Sequence, residues 1–180
     1  MRKMTVILLS LAFAGACTQQ ALQTTYDKQT TNIESFISAQ MKADETATLT
    51  RTGGAYRVTL NDTLDPTRDS LGWNGKVTMD YALYVLTGAS VSASNLVATS
   101  LESVAQAAGW DLSDKSQFQQ VTVDMQDDIL EGLKMGLYGV QPQDEAYILF
   151  TGKYGYGSRE QGTIPAKSGL VYHVWIESIE

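Results

Sequence analysis

Cysteine, proline and histidine are scarce in this sequence, which has one, three and one of them among its 180 residues. Because Cys17 has no second cysteine to pair with, an intramolecular disulfide is excluded, and the fold must be stabilised by its hydrophobic core. Because His173 is the only histidine, a site that binds a metal through two histidines is excluded, and a Ser-His-Asp triad is not indicated. The sequence therefore predicts no metal site.

Basic residues are also few, with 13 Lys and Arg against 20 Asp and Glu and a net charge of -7. Nucleic-acid phosphates are bound by clustered Lys and Arg, and no such cluster occurs, so we expect no nucleic-acid partner. The stretch "GYGSREQG" has glycines but lacks the lysine and the strand-to-helix context of a phosphate-binding loop. A hydrophobic content of 43% is enough for one buried core, which predicts one domain with a short appendage.

The N-terminal sequence "MRKMTVILLSLAFAGAC" has the pattern of an export signal. Arg2 and Lys3 precede an apolar run, Val6 to Ala14, that is too short to span a bilayer. We therefore expect residues 1–16 to be a signal peptide. The small residues directly before Cys17 resemble a bacterial lipobox, whose cleavage leaves this cysteine as a lipid-modified N-terminus.

Lipidation of Cys17 would attach the protein to a lipid membrane, because several acyl chains anchor stably whereas one chain binds only marginally. The alternative is an ordinary signal peptide followed by an unmodified thiol. The next residues, Thr18 and Gln19, carry no acidic retention signal. The expected location is therefore that of an exported bacterial lipoprotein at the outer membrane, facing the periplasm or the cell surface.

The segment between this anchor and the main domain contains three different patterns. Residues 17–30 are polar and short of branched aliphatic side chains, which predicts a lipid-anchored tether. The stretch "TATLTRTGGAYRVTL" alternates apolar and polar residues on either side of two glycines, which predicts a hairpin. Residues 31–74 are thus expected to lead, through a helix that ends near Ala43 and then this hairpin, into a domain at 75–180. The apolar face of that helix consists of Ile33, Phe36, Ile37 and Met41.

The clearest strand is "KVTMDYALYVL", residues 76–86, in which apolar and polar residues alternate. Tyr81 lies on its apolar face and points into the core or into a cavity lined by the core. Residues 94–110 predict a helix, "FQQVTVDM" a strand, and "DDILEGLKMG" a short helix capped by Asp127 or Asp128. The stretches "EAYILF" and "GLVYHVWIESI" predict the last two strands. Five or six antiparallel strands with one short late helix place the chain in the α+β class.

Three of these segments resemble the FK506-binding-protein type of peptidyl-prolyl isomerase, in the order found in that family. "YGYG", a loop and "IPAKSGLVYHVWIESI" are similar to the family's "AYG", loop, "IPP" and "LVF.VEL". "VTMDYALYVLTG" is similar to its "V.V.Y.G.L.DG" strand and "ILEGLKMG" to its "VI.GW..G" helix. The resemblance implies a curved antiparallel sheet wrapped around a short α-helix, here with an extra N-terminal helix and a helical insertion.

In that family a proline side chain enters an aromatic-lined pocket between the sheet and the helix. Rotation of the X-Pro bond must cross a barrier of about 18 to 20 kcal/mol, which takes tens of seconds or more without a catalyst. A dry pocket that favours the twisted amide needs no acid, base or metal to lower this barrier. The resemblance therefore implies a cofactor-free isomerase that acts on proline-containing segments of exported proteins.

The resemblance also assigns roles to residues of this sequence. The Leu130 backbone N–H and the Tyr156 hydroxyl would donate hydrogen bonds to substrate carbonyls, Tyr156 being hinged by Gly155 and Gly157. Tyr81 would line the pocket wall. The alternative for Tyr81 is a core aromatic, as its alternation on the strand also explains, and for Tyr156 it is an aromatic that packs its own loop. The further positions that would bind substrate are Val91, Ser92, Ile129, Leu133, Ile164 and Tyr172, of which Tyr172 has the same core alternative.

Three departures from the family predict a wider and shallower pocket. Val91 and Ser92 stand where the family has Phe and Asp, Leu133 where it usually has Trp, and Gly152 where it usually has Pro. Two hypotheses follow. The retained Tyr81, Tyr156 and Ile164 favour a membrane-tethered prolyl isomerase that helps exported proteins to fold. The altered Val91, Ser92 and Leu133 favour a binding module on the same scaffold, with weak or absent catalysis, that holds a peptide or a partner protein.

Overall fold

The computed structural model describes residues 7–60 and 67–180, and of residues 7–18 it describes the backbone alone. In this part of the chain the helices are α1 (Ile7–Ala43), α2 (Glu102–Ala107) and α3 (Glu131–Leu137). The strands are β1 (Thr48–Thr52), β2 (Ala55–Leu60), β3 (Lys76–Val85), β4 (Leu96–Thr99), β5 (Val121–Asp124), β6 (Glu145–Phe150) and β7 (Leu170–Ile179).

All the described strands form one antiparallel sheet in the order β1-β2-β6-β7-β3-β4, with β5 also paired to β3. The long strand β3 can hold two partners on one edge, because β5 pairs with its first half and β4 with its second half. The predicted hairpin is confirmed as β1 and β2, which meet at the two glycines. The α+β class and the antiparallel sheet with a short helix are confirmed, although the sheet has seven strands instead of five or six.

The sheet has a hydrophobic core on each face. On the inner face, alternate residues of β3, β6 and β7 pack against α3, and Val77, Ile148 and Val174 are fully buried there. On the outer face, Val58 and Leu149 pack against α1 and are also fully buried. The alternation seen in the sequence therefore sorts side chains between two cores, as the period of a β-strand requires.

Helix α3 lies directly on the inner face because two of its residues have no side chain. A Cβ atom at Gly132 would lie 2.2 Å from the Phe150 ring, and one at Gly136 would lie 2.1 Å from Ile148 Cγ2. The end of α3 is held by Arg57 of β2. Its Nη1 donates to Gly136 O at 3.1 Å and to Tyr138 O at 2.7 Å. These two bonds satisfy carbonyls that a helix leaves unpaired at its C-terminus.

The start of α3 differs from the prediction. The helix begins at Glu131, with Leu130 at its N-cap and no side-chain capping bond. Asp127 and Asp128 precede this point, so the prediction that either caps the helix is wrong. The Asp127 amide instead donates to Asp124 O in the turn that follows β5.

Helix α1 packs on the outer face through Phe36 and its apolar neighbours and ends at Ala43, as predicted. The predicted tether, residues 17–30, is helical and continuous with the rest of α1. They contain no glycine or proline and are rich in glutamine, which has good helix propensity. The predicted signal peptide begins outside the described residues. No helix within the described ranges has an apolar stretch long enough to cross a membrane.

The insertion predicted as a helix over 94–110 contains a strand and a shorter helix. Strand β4 occupies its first part and α2 its second. The Thr99 hydroxyl donates to Tyr81 O at 2.8 Å, and the Ser100 hydroxyl donates to Asp80 Oδ1 at 2.7 Å, which fixes β4 on the edge of β3. Pairing with this edge outweighed the weak helical spacing of the apolar residues.

Candidate functional site

A cavity of about 450 Å³ opens on the inner face of the sheet, between β3, β5, the side of α3 and the loop after β6. We call residues 152–167 of that loop the site loop. The strands and α3 contribute Met79, Tyr81, Leu83, Val97, Ala98, Val121, Val123, Leu133 and Tyr172, and the site loop contributes Tyr156, Gln161, Gly162, Thr163 and Ile164. Among these described residues none has a charged side chain, so the cavity is lined by apolar and neutral polar groups.

Three tyrosines are the main polar side chains of the cavity. Tyr81 of β3 and Tyr172 of β7 lie on the same face of adjacent strands, with ring centroids 6.2 Å apart. Phe150 lies behind Tyr172 at 6.1 Å. Tyr156 reaches the cavity from the site loop. Side-chain alternation on β3 and β7 thus explains two of the tyrosines, and the loop conformation explains the third.

The surroundings keep the phenols of Tyr81 and Tyr172 neutral. Burial raises the pKa of Tyr81, and the neighbouring Tyr156 raises it further. Burial also raises the pKa of Tyr172 well above its usual value, with smaller contributions from Tyr156 and Tyr81. Within the described part of the chain, no protein group is hydrogen-bonded to any of the three hydroxyls. The cavity therefore offers neutral hydroxyl groups that can donate to the carbonyl oxygen of a ligand.

The site loop is ordered by its own backbone hydrogen bonds. The Gly157 amide donates to Gly152 O at 2.9 Å, and the Lys167 amide donates to Gly157 O at 2.6 Å. Gly157 has φ +58, in the left-handed region that glycine adopts without strain. These bonds hold the segment that contains Tyr156 in a turn, and the hinge motion at Gly155 and Gly157 stays a prediction.

Leu130 and Ile129 lie beside the cavity rather than in it. They line a neighbouring depression that shares Tyr156 and Gln161 with the cavity. The Leu130 side chain packs against the inner core. Leu130 is the N-cap residue of α3, and among the described residues no acceptor is hydrogen-bonded to its backbone N–H. Its predicted role as a donor to a substrate carbonyl stays a prediction.

Val91 and Ser92 lie away from the cavity, so their predicted place in its wall is wrong. Val91 packs against the outer core, and Ser92 is exposed, with its hydroxyl donating to Asn95 Oδ1 at 3.0 Å. In the connection that follows β3, Val97 and Ala98 of β4 line the cavity instead. This wall therefore has neither the aromatic ring nor the carboxylate that the family resemblance implied.

The sequence prediction also missed Val121 and Val123 of β5, which line the cavity next to β4. Their spacing of two residues in a predicted strand was a sufficient signal that they share a face. The predicted Leu133, Ile164 and Tyr172 do line the cavity. Leu133 is 7% exposed and Ile164 is 6% exposed, which makes both part of the inner core as well as the cavity.

His173 lies on the opposite face of the sheet from the cavity. Its Nε2 is 2.7 Å from Glu145 Oε1, and its ring stacks on Tyr147 and makes a tilted contact with Trp175. Burial lowers the pKa of His173, and this effect exceeds the opposing effect of the Glu145 hydrogen bond. Among the described residues, no three His, Cys, Asp or Glu side chains are grouped closely enough to hold a metal ion.

Comparisons with known proteins match the chain to one family and one fold. The family model for FKBP-type peptidyl-prolyl cis-trans isomerase matches residues 74–177. A structure of the three FKBP domains of wheat FKBP73 is similar with a TM-score of 0.56 and 16% identity, covering 74% of this chain and 51% of that chain. FkpA from Escherichia coli is similar with a TM-score of 0.54 and 13% identity, covering 100% of this chain and 74% of that chain.

At these identities the structural matches establish the fold alone. This chain spans about half the length of the wheat protein in that structure. The comparison with curated protein sequences gave no match.

Proposed function

This chain belongs to the FKBP-type peptidyl-prolyl cis-trans isomerase family, whose model covers more than half of it, and we propose that it catalyses rotation of X-Pro peptide bonds. The proline ring enters the cavity on the inner face of the sheet, and the peptide crosses its mouth in a turn. The observation that supports this most is a cavity without charged side chains, lined by the three tyrosines Tyr81, Tyr156 and Tyr172.

The chemistry requires no bond to be broken. A planar X-Pro amide is stabilised by resonance and by hydrogen bonds from water to its carbonyl oxygen, and the twisted amide has less charge on that oxygen. An apolar cavity removes the water and so disfavours the planar form relative to the twisted one. Val121, Val123 and Leu133 supply this apolar contact.

The hydroxyl groups hold the peptide on either side of the rotating bond. Tyr156 and Tyr81 are each half-buried, so their hydroxyls are accessible to a carbonyl of the bound chain. The Leu130 amide, beside the cavity mouth, provides a third donor in this proposal. Anchoring both flanks while the central amide turns is an entropic contribution to catalysis.

The test measures isomerisation of a set of Xaa-Pro peptides by protease-coupled and NMR exchange assays, with Tyr156→Phe and Tyr81→Ala beside the wild type. Matched controls are Tyr154→Phe, on the same loop but outside the cavity lining, and Tyr84→Ala, on β3 but on the outer face. We expect kcat/KM to fall about 10-fold for Tyr156→Phe, the effect of one lost hydrogen bond of ordinary strength. Equal losses in cavity variants and controls would contradict the proposal.

The alternative function is a binding module that holds a peptide or a partner protein with weak or no catalysis. It is favoured by the small side chains of Val97, Ala98 and Leu133, where the family resemblance implies aromatic and acidic groups. Titration with the same peptides separates the two functions. Peptide that binds, and that causes shifts of the Tyr81 and Tyr172 resonances without faster isomerisation, would support the binding module.

The cellular setting is a second part of the proposal. The N-terminal sequence supports export, lipidation of Cys17 and attachment to the outer membrane, where the domain would help exported proteins to fold. Mass spectrometry of the N-terminal peptide tests the lipid on Cys17 directly. A Cys17→Ser variant should move from the membrane fraction to the soluble fraction or stay unprocessed. Wild-type protein with an unmodified thiol would contradict the anchor.

A further inference from the structure

One side chain of α1 reaches both ends of the site loop. Gln29 Oε1 accepts a hydrogen bond from the Gly152 amide at 2.9 Å, and Gln29 Nε2 donates to the Lys167 carbonyl at 2.6 Å. Gly152 begins the loop and Lys167 ends it. A single carboxamide therefore closes the neck of the loop, using its acceptor and its donor at once.

The neck is narrow and has little freedom to adjust. A Cβ atom at Gly152 would lie 2.5 Å from the carbonyl carbon and oxygen of Lys167. Lys167 has φ +63, a left-handed conformation that is uncommon for a residue with a side chain. This conformation sets the direction of the Lys167 carbonyl, and the hydrogen bond from Gln29 holds the carbonyl in that direction.

These contacts join the loop's own hydrogen bonds into a closed ring. Gly157 donates to Gly152, Lys167 donates to Gly157, and Gln29 bridges Lys167 back to Gly152. Tyr156 is the neighbour of Gly157 inside this ring. Opening the ring at Gln29 would remove the two bonds that close its neck and so loosen the turn that contains Tyr156.

We propose that Gln29 is a positioning residue of the cavity, which sets the place of Tyr156 from a helix outside the matched family segment. This proposal rests on the proposed function for its activity readout and on the loop geometry for its structural readout. It implies that a fragment limited to residues 74–177 would lack one support of its own site loop. The link spans 123 residues of sequence between Gln29 and Gly152.

The test uses the full chain with Gln29→Ala and Gln29→Glu. The glutamate variant keeps an acceptor for the Gly152 amide but cannot donate to Lys167 when ionised. The matched control is Glu34→Gln, which removes an exposed ion pair between α1 and Arg51, 3.2 Å long, without touching the site loop. Thermal midpoints are measured for every variant, so that local and global effects are separated.

The first readout is amide hydrogen exchange. In Gln29→Ala we expect the amides of Gly152, Gly157 and Lys167 to exchange about 10-fold faster or more, the factor for losing ordinary hydrogen bonds at the neck. In Gln29→Glu the Gly152 amide should stay slower than in the alanine variant. Unchanged exchange at all three amides in Gln29→Ala would overturn the proposal, as would equal acceleration in Glu34→Gln.

The second readout is isomerisation. We expect Gln29→Ala to lower kcat about as much as Tyr156→Phe does, while KM rises little and Glu34→Gln keeps wild-type values. Normal kcat in Gln29→Ala with a loosened loop would overturn the positioning role. If the wild type itself does not isomerise proline, the proposed function fails separately, and exchange still decides whether Gln29 holds the loop.

Discussion

Replacing Gly132 with alanine should destabilise the domain, although alanine is the better helix former. Gly132 lies in α3 where the helix meets β6, and a Cβ atom there would lie 2.2 to 2.6 Å from three ring atoms of Phe150. Phe150 is fully buried and stacks with Tyr172 of the cavity. The ring cannot rotate away without disturbing the inner core, so the helix must move instead.

The magnitude follows from two opposing effects. Overpacking a well-packed core costs about 1 to 3 kcal/mol, and more when the backbone must shift. Alanine in place of glycine returns at most about 1 kcal/mol, because Gly132 is the second residue of α3 and lies in its first turn. The contact is more than 1 Å shorter than an ordinary carbon–carbon distance of roughly 3.5 Å, so the first effect lies at the upper end of its range. We expect a net loss of about 2 kcal/mol in the free energy of unfolding.

The assay is urea unfolding followed by circular dichroism, with the midpoint and the slope fitted separately. The control is Gly88→Ala, because a Cβ atom at Gly88 meets nothing within 4 Å and should change stability by less than about 0.5 kcal/mol. Since α3 also supplies Leu133 to the cavity, Gly132→Ala should reduce peptide affinity as well. A Gly132→Ala protein as stable as the wild type would refute the close packing of α3 on β6.

Two further changes test the outer face. Phe36→Ala should cost about 3 to 5 kcal/mol of unfolding free energy, because Phe36 is 1% exposed and contacts Tyr147. The control Met41→Ala, at a 36% exposed position, should cost less than about 1 kcal/mol. A small loss for both variants would mean that α1 is not part of the folded domain. Because burial holds the pKa of His173 below its ordinary value, the unfolded state binds its proton more readily, so stability should fall as the pH drops below about 6.5. His173→Gln, which cannot titrate, should lose less stability between about pH 7.5 and 5.5, and parallel curves for variant and wild type would contradict this.

The parts of the fold that the sequence predicted are those governed by local pattern. Alternation in β3 and β7 gave the strands and also placed Tyr81 and Tyr172 on the cavity face. Two adjacent glycines with alternating flanks predicted the hairpin of β1 and β2. Each of these signals acts within about ten residues, where the period of the side chains is sufficient.

The errors arise where a distant partner decides the structure. Strand β4 forms because the edge of β3 offers unpaired backbone groups, and its own residues give only a weak signal. The connection at residues 86–95 moves the cavity wall from Val91 and Ser92 to Val97 and Ala98. Counting along a family motif cannot reveal such a shift when the length of the connection changes.

The site was predicted in part for the same reason. Leu133, Tyr156 and Ile164 could be matched to motifs, and the structure brings them to one cavity. Gln29 could not be predicted, because its partners lie more than a hundred residues away and a glutamine in a polar helix carries no local signal. Only the folded chain shows that α1 and the site loop meet.

The most direct test of the central claim is two-dimensional exchange NMR on an Xaa-Pro peptide with a small amount of the wild-type chain. Uncatalysed exchange takes tens of seconds, so a mixing time of about 1 s gives no cis–trans cross-peaks without a catalyst. We predict cross-peaks in the presence of the protein, which weaken with Tyr156→Phe and stay unchanged with Tyr154→Phe. Bound peptide without cross-peaks, in a protein that is folded by its own spectrum, would contradict catalysis in the cavity.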